Sequence, residues 1–136
     1  MAGLNKDTPT PTDIKLHQKS RILEIAFADG KRFNLPYELL RVYSPSAEVR
    51  GHGPGQEVLQ IGKQSVEINH IEPVGTYAVQ LVFSDGHDTG LYSWDYFYNM
   101  GMNQDEMWQH YLQRMAEAGA SREQILSAFE QRPKAK

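Results

Sequence analysis

The chain has 136 residues, a net charge of −3 and no cysteine. This length favours a single domain with its own buried core, and the lack of cysteine excludes disulfides, iron–sulfur clusters and thiolate-bound zinc. Because the 14 Lys and Arg residues are scattered along the chain, nucleic acid is a poor candidate for a partner.

Both ends of the chain are predicted to be tails. Residues 1–12 are polar, contain two prolines and have no hydrophobic period, which predicts a flexible tail, and residues 132–136 form a charged tail. The single domain is therefore expected at residues 13–131. The sequence contains no signal-like segment and no apolar run of 18 residues, so we expect a cytoplasmic protein without a membrane partner.

The domain is predicted to begin with an antiparallel hairpin. Residues 14–17 alternate apolar and polar side chains as a half-buried strand does, and residues 21–27 continue as a second strand. Asp29 and Gly30 are expected to form a two-residue turn into a strand over 31–35. The expected core contacts of this hairpin are Ile22, Ile25 and Phe27.

A short helix is predicted to follow this hairpin. Pro36 suits the first helical position because its missing N–H would have no partner there. Tyr37, Leu40 and Val42 then give the helix an apolar side.

This hairpin and helix have a second copy 56 positions downstream. Residues 83–98 repeat the plan of residues 27–40, with an Asp-Gly turn followed by a short strand and an aromatic helix start. The matched pairs are Phe27 with Phe83, Asp29 with Asp85, Gly30 with Gly86, and Leu35 with Leu91. We expect two repeated units of a hairpin plus a helix.

The stretch from residue 44 to residue 62 is predicted to be a long loop. It contains four glycines and two prolines without a period, and long loops inside compact domains are commonly functional. Its glycines would expose backbone N–H groups around Arg50, His52 and Gln56. These three residues are candidates for binding a partner or ligand.

The rest of the chain is predicted to add two strands and two helices. Strands are expected at 66–71 and 76–83 with a turn at 72–75, and Tyr77, Val79, Leu81 and Phe83 should form one buried face. One amphipathic helix should begin at Asn103 and end at Gly119, and another should begin at Ser121. The overall expectation is an α+β fold with a mainly antiparallel sheet covered by the C-terminal helices.

No catalytic set is evident from the residues alone. Ser93 lacks a nucleophile elbow, and a facial triad of His70, Glu72 and His110 would place one ligand on a distant helix. His87 follows the second Asp-Gly turn, where it is a solvent-facing turn residue, a side chain bonded to the local backbone, or a contact for a ligand or partner. No cofactor is predicted.

Two stretches of the sequence resemble a known family. Residues 14–56, which run from IKLHQKSRILEIAFADG to SAEVRGHGPGQ, and residues 77–97, YAVQLVFSDGHDTGLYSWDYF, are similar to the gamma-butyrobetaine hydroxylase-like N-terminal domain, also called DUF971. The resemblance covers residues 12–101. It is strongest to a short bacterial branch with an SAEVRGHGP-like loop, for which no biochemical function is settled.

The resemblance implies a vestigial metal site. In the larger hydroxylases the domain resembles a zinc module with a Cys-x-Cys-x-x-Cys cluster after the first helix and a histidine in the second hairpin turn. The cysteine positions fall on Ser44, Ser46 and Val49, and His87 matches the histidine. Zinc binding should therefore be lost, and His87 should lie close to the start of the 44–62 loop.

The sequence thus leaves three functional readings. The first is a non-catalytic accessory or adaptor module for an unidentified protein partner, which the family's associations would link to iron–sulfur or ubiquinone metabolism. The second is a metal-dependent or small-molecule enzyme that uses His52, His70 or His87. In the third, the loop only fills the lost zinc site.

Overall fold

The structure, a computed structural model, describes residues 8–50 and 58–120. Within these ranges the elements in chain order are β1 (Pro11–His17), β2 (Ile22–Phe27), β3 (Arg32–Pro36), α1 (Tyr37–Val42), α2 (Ala47–Arg50), β4 (Ile68–Val74), β5 (Ala78–Phe83), β6 (Leu91–Ser93), α3 (Trp94–Met102) and α4 (Gln104–Glu117). None of the helices in this part of the chain is long and apolar enough to cross a membrane.

The strands form two antiparallel sheets of three strands each. Their orders are β1-β2-β3 and β4-β5-β6, so each predicted unit builds its own sheet instead of joining one continuous sheet. The predicted α+β class with antiparallel strands and two hairpin-plus-helix units is confirmed. Regular structure begins at Pro11, inside the predicted N-terminal tail.

Both hairpins close through three-residue loops, and the predicted two-residue turns are wrong. In the first hairpin, Gly30 N–H donates to Phe27 O at 2.9 Å and Phe27 N–H donates to Lys31 O at 2.8 Å. The second hairpin forms the same two bonds among Phe83, Gly86 and His87. Gly30 and Gly86 both have φ of +90°, which is the left-handed position that ends such a loop.

The two hairpins differ by one residue in the returning strand. Ile22 pairs with Pro36, whereas its counterpart Ala78, which lies 56 positions later, pairs with Ser93, which lies 57 positions later. One additional residue is therefore accommodated between the second turn and β6.

This extra residue changes which side chain faces the core. Leu35 corresponds structurally to Tyr92, and both are fully buried, whereas the predicted match Leu91 is 46% exposed. The alignment of Leu35 with Leu91 is therefore wrong, because strand side chains alternate between two faces.

Helix α1 lies at the centre of the fold. All six of its residues are buried, including Glu38 and Arg41, although the sequence predicted burial on one side only. Glu38 Oε2 accepts a hydrogen bond of 2.7 Å from the Tyr111 hydroxyl on α4, and Arg41 Nε donates to Asp85 Oδ2 at 2.9 Å. These partners explain how two charged side chains are accommodated inside the core.

Both sheets and α3 contribute to one hydrophobic core around α1. Its largest members are Leu23, Ile25, Phe27, Leu35, Tyr37, Leu39, Leu40, Ile68, Leu81, Phe83, Tyr92 and Phe97. Leu23 takes the core position that was predicted for Ile22, which is only half-buried. The predicted core roles of Ile25, Phe27 and Tyr37 are confirmed.

The second sheet corrects the predicted strand bounds. The predicted turn at 72–75 lies largely within β4, and the chain turns at residues 75–77 instead. Pro73 is tolerated because β4 is an edge strand of its sheet. Tyr77 consequently lies in the turn and is 42% exposed, so it does not belong to the buried face.

Helix α4 follows the prediction more closely at its end than at its start. The Asn103 side chain does not cap α4, and its amide donates to Asn99 O at 2.8 Å. Gly119, with φ of +67°, follows the helix as predicted, and Ala120 N–H donates to Met115 O at 2.9 Å. The helix predicted from Ser121 lies outside the described residues.

Candidate functional site

His87 is buried beside the loop that follows α1. Its side chain lies beneath the surface, with 7% of the residue exposed, and its Nε2 atom is 2.8 Å from Ser44 Oγ and 3.4 Å from Ser46 Oγ. Both serines are also buried. The expectation that His87 lies close to the start of the 44–62 loop is confirmed, and the reading of His87 as a surface turn residue is wrong.

The chain after α1 is shaped to present both serines to His87. Ser44 N–H donates to Arg41 O at 3.3 Å as α1 ends, and Ser46 O accepts the Val49 and Arg50 N–H groups at 3.1 and 3.0 Å as α2 begins. Ser46 N–H also donates to Ser44 Oγ at 3.3 Å. The Ser44 hydroxyl therefore joins the loop backbone to the imidazole.

Gly90 makes room for this hydroxyl. A Cβ atom at Gly90 would lie 2.5 Å from Ser44 Oγ and 3.2 Å from Pro45 Cδ, well inside normal contact distance. At Gly90 the chain passes so close to Ser44 and Pro45 that only a residue without a Cβ atom fits.

Asp85 connects the second hairpin turn to two cations. Its Oδ2 atom lies 2.9 Å from Arg41 Nε and 2.7 Å from Lys63 Nζ, and its Oδ1 atom accepts the His87 N–H at 3.2 Å. Burial alone would raise the pKa of Asp85, but the bond from Lys63 and the charge of Arg41 lower it to about 2. The turn that carries His87 is thus fixed by a charged network.

Arg41 contributes to this network from inside the fold. Its side chain is 8% exposed, and its Nη1 atom has no hydrogen-bond partner among the described residues. Because the Asp85 carboxylate compensates much of the buried charge, the pair depends on both of its members.

The donors around His87 do not fit the zinc site that the resemblance implies for related modules. A closed structural zinc site uses four donors, chiefly thiolates and imidazoles. Ser44 and Ser46 supply neutral hydroxyls, and the buried Val49 side chain supplies no donor at all. Ser44, Ser46 and Val49 are therefore better suited to a hydrogen-bonded contact with His87 than to coordination of a metal ion.

The other candidate residues lie in separate places. Arg50 is exposed at the end of α2, while His52 and Gln56 lie outside the described residues. His70 is on β4, where its Nε2 atom pairs with Glu72 Oε2 at 2.9 Å and both side chains are more than half exposed. Across residues 8–50 and 58–120, no group of three His, Asp or Glu side chains is placed to hold a metal ion.

A basic cleft opens beside the buried serines. It has a volume of about 220 Å³ and lies among the end of α1, α2, α3 and α4. Its polar lining consists of Tyr43, Ser44, Arg50, Tyr96, His110 and Arg114. No carboxylate is among the described residues that line it, although the chain as a whole is acidic.

Tyrosine hydroxyls fix the walls of the basic cleft. Tyr96 donates a hydrogen bond to Tyr43 O, and the Tyr43 hydroxyl donates to Met107 O at 2.8 Å. Burial raises the pKa of Tyr96 to about 12, while the nearby charge of Arg50 opposes this shift. Burial also raises the pKa of Tyr43, and the charge of Arg114 acts against it.

Sequence reasoning identified only one of these cationic residues, Arg50. The sequence suggests His110 only as a distant member of a facial triad with His70 and Glu72, and it does not single out Arg114. Their spacing of four residues places them on the same helix face, which was the available signal. It does not reveal that these two side chains and Arg50 line the same cleft, because that depends on where α2 and α4 lie in the fold.

More than half of the chain matches the profile of a known protein family. Residues 14–98 match the profile described as gamma-butyrobetaine hydroxylase-like, N-terminal. No curated protein sequence matches the chain.

Several solved structures resemble the chain, among them the following three. One solution NMR structure is 56% identical, covers 90% of this chain and 91% of its own, and has a TM-score of 0.75. A second NMR structure is 44% identical, with coverages of 87% and 94% and a TM-score of 0.74. A crystal structure from Acidithiobacillus ferrooxidans, described as a DUF971 family protein of unknown function, is 38% identical, with coverages of 68% and 92% and a TM-score of 0.58.

Proposed function

Since the chain belongs to the gamma-butyrobetaine hydroxylase-like N-terminal family, also called DUF971, we propose that it is a non-catalytic accessory or adaptor module that binds a protein partner. The observation that carries this proposal is the pairing of the buried His87 with Ser44 next to the exposed Arg50 at the basic cleft. His87 could in principle take part in catalysis, but its imidazole is buried and hydrogen-bonded to Ser44. The cationic residues of the basic cleft lie beside this pair.

The charged groups of the second turn support a structural role for that region. Asp85 is engaged by Arg41 and Lys63, and its low pKa keeps it ionised at neutral pH. A general base near neutral pH needs a pKa closer to the working pH. Asp85 is therefore suited to holding the turn in place.

We propose a contact surface that comprises Arg50, His52 and Gln56, with His87 holding the start of the same loop through Ser44 and Ser46. Arg50 is exposed and can reach a partner, whereas His87 can act only through the loop that it holds. We further propose that Ser44, Ser46, Val49 and His87 are the remains of a zinc site. The hydrogen bonds would then preserve the loop position after the metal was lost.

The cellular setting that we propose for the module rests on the family resemblance alone. Members of the family look like modules appended to iron–sulfur scaffold ATPases, and bacterial members tend to lie near ubiquinone-biosynthesis genes, so we propose a partner in one of these two pathways. We propose a cytoplasmic location for this interaction.

Affinity capture from the source organism tests the proposal. The Arg50→Ala/His52→Ala variant should recover a specific partner at least ten-fold less well than the wild type. Lys15→Ala/His17→Ala is the matched control, because it removes one cation and one histidine from the exposed β1 strand. Equal recovery by all three proteins would exclude this contact surface.

Metal analysis distinguishes the proposal from a metal-dependent enzyme. Protein purified without a tag should contain much less than one equivalent of zinc or iron per chain. A stoichiometric metal that is lost in His70→Ala or His87→Ala would support the enzyme instead and contradict the adaptor role.

A further inference from the structure

The strands β1 and β4 each form an edge of their sheet. Both have seven residues, and within residues 8–50 and 58–120 each pairs with a strand on one side only. An edge strand offers backbone N–H and C=O groups to a further strand unless a proline, a charge or a bulge protects it. Whether an edge can be extended therefore depends on which residues turn their backbone groups outward.

In β1, the backbone groups of Ile14 and Leu16 point to the free edge. Phe27 N–H donates across the first hairpin turn, so its backbone groups face β3. Because these groups alternate in direction along a strand, those of Glu24 face β1, where Glu24 pairs with Lys15. The backbone groups of Lys15 are thus bonded within the sheet, and those of its two neighbours point outward.

In β4, the outward position is occupied by a proline. Phe83 N–H donates across the second hairpin turn, so the backbone groups of Gln80 face β4, where Gln80 pairs with Glu72. Pro73, the next residue, therefore faces the free edge and has no N–H to offer. This proline protects β4 from pairing, whereas β1 contains no proline after its first residue. Of these two edges, β1 is the one that can accept a strand.

The side chains of β1 suit a second copy of the same strand. Asp13 and Lys15 lie exposed on the outer face of the sheet and form an ion pair of 3.5 Å within one chain. When two β1 strands run antiparallel about a two-fold axis through Ile14, Asp13 of each copy lies opposite Lys15 of the other. The two ion pairs then combine into a ring of four alternating charges, so neither residue needs to be free in the single chain.

The charges favour this register over the other symmetric ones. An axis through Asp13 or Lys15 would place like charges opposite each other, and an axis through Leu16 would place Lys15 opposite His17. An axis between two residues is excluded, because it would bring outward-facing backbone groups against inward-facing ones. A lysine on an edge strand usually discourages pairing, but about Ile14 it meets a carboxylate.

We propose that the protein forms a two-fold symmetric dimer through antiparallel pairing of β1 about Ile14. The two Ile14 residues exchange a pair of backbone hydrogen bonds, and the two three-stranded sheets join into one sheet. The register is irregular between Pro11 and Asp13, which keeps the paired stretch short. The dimer should therefore be weak and form only at high protein concentration.

The dimer goes beyond the proposed partner surface and does not depend on it. None of the described residues that line the basic cleft belongs to β1, and Arg50 lies on α2. Partner capture from an extract uses concentrations far below those of a weak dimer, so the Lys15→Ala/His17→Ala control remains valid there. Failure of one proposal therefore leaves the other intact.

Analytical ultracentrifugation across a hundred-fold range of protein concentration tests the dimer. The mass of the wild type should rise from that of one chain toward that of two. Asp13→Lys and Lys15→Asp should each weaken association at least ten-fold, because like charges then face each other. Glu117→Lys makes the same change in charge as Asp13→Lys at an exposed position on α4 and should associate as the wild type does. A wild type that stays monomeric throughout would overturn the proposal.

A charge swap separates direct pairing from a general effect of net charge. The double variant Asp13→Lys/Lys15→Asp keeps the net charge of the wild type and should restore association, since each lysine again faces an aspartate. Circular dichroism verifies that every variant is folded. A double variant that associates as weakly as the two single ones would contradict the pairing.

Single cysteines determine the register, since the native chain has none. An equimolar mixture of Asp13→Cys and Lys15→Cys should form disulfide-linked dimers on mild oxidation, because these positions face each other in a non-hydrogen-bonded pair with close Cβ atoms. The remaining Asp13 and Lys15 still pair across the mixed dimer. Each variant alone should cross-link at least ten-fold more slowly, and faster cross-linking of Lys15→Cys alone would overturn the register about Ile14.

Discussion

His87 Nε2 and Ser44 Oγ lie 2.8 Å apart, although 43 residues separate them in the chain. This contact joins the second hairpin turn to the loop after α1, and both residues are buried. It is one of several contacts that link the two repeated units, and Ser44 also lines the basic cleft.

Removing the Ser44 hydroxyl should destabilise the protein. Ser44→Ala removes a buried partner of His87 and is expected to lower the free energy of unfolding by about 1–2 kcal/mol. Ser65→Ala, at an exposed position, should change it by less than about 0.5 kcal/mol. Urea denaturation measures both values, and equal effects would argue against a stabilising role of the buried contact.

Restoring the cysteines should create a zinc site. The triple variant Ser44→Cys/Ser46→Cys/Val49→Cys would place three thiolates beside His87, which completes a donor set typical of structural zinc. About one zinc per chain is expected by metal analysis after purification in zinc-containing buffer. Adding His87→Ala should weaken zinc binding about 10–100-fold in competition with a chelating dye. Unchanged affinity would show that His87 is not a vestigial ligand.

Adding a methyl group at Gly90 should create a clash that depends on Ser44. Gly90→Ala brings a Cβ within 2.5 Å of Ser44 Oγ and should cost about 2 kcal/mol of stability. In a Ser44→Ala background the cost should fall, because the clashing oxygen is absent. A double-mutant cycle by chemical denaturation measures this coupling, and strict additivity would contradict the proposed contact.

Acid should weaken the network around Asp85. The ordinary pKa of 3.8 falls to about 2 in the folded protein, so the unfolded chain binds the proton first as the pH decreases. The contribution of Asp85 is therefore complete above about pH 4 and is lost between about pH 4 and pH 2. Thermal unfolding across this range should show the loss.

Asp85→Asn provides the comparison for the acid effect. At neutral pH it should cost about 1–2 kcal/mol, because it leaves the buried Arg41 charge without its carboxylate, although partial exposure of Asp85 moderates the loss. Its stability should depend less on pH than that of the wild type between pH 4 and pH 2. If the wild type and Asp85→Asn lose the same stability between pH 4 and pH 2, carboxylates other than Asp85 cause the loss.

Alkali should destabilise the fold through its buried tyrosines. Tyr96 has a pKa of about 12, whereas the unfolded chain should titrate near pH 10. The unfolded state therefore loses its proton first, and stability should decrease from about pH 10 to pH 12 by roughly 2 kcal/mol for this group. Tyr96→Phe should reduce the decrease, while Tyr77→Phe, at an exposed position, should not. Chemical denaturation at fixed pH values measures the difference.

The parts of the fold that depend on local signals could be predicted from the sequence. Alternating side chains located β1 and β5, and the repeated Asp-Gly pairs located both turns, because a glycine there must adopt positive φ. The extra residue before β6 has no local signal. Only the observed pairing of Ala78 with Ser93 reveals this residue. The sequence therefore predicted Leu91 at the core position that Tyr92 occupies.

The candidate site depended on contacts between distant segments. The resemblance placed His87 near Ser44, and residue patterns selected Arg50. The burial of Arg41 and Glu38 could not be foreseen, because their partners Asp85 and Tyr111 lie 44 and 73 residues away. The basic cleft likewise requires four elements to meet, which no single window of sequence encodes.

The extra residue before β6 means that the two hairpins are not interchangeable parts. If the second hairpin followed the regular register of the first without accommodating its extra residue, β6 would slip by one residue and Leu91 would turn inward in place of Tyr92. The Tyr92 hydroxyl would then lose its bond of 2.5 Å to Leu40 O. The extra residue thus allows the Tyr92 side chain of the second unit to face the core and to bond to the backbone of α1.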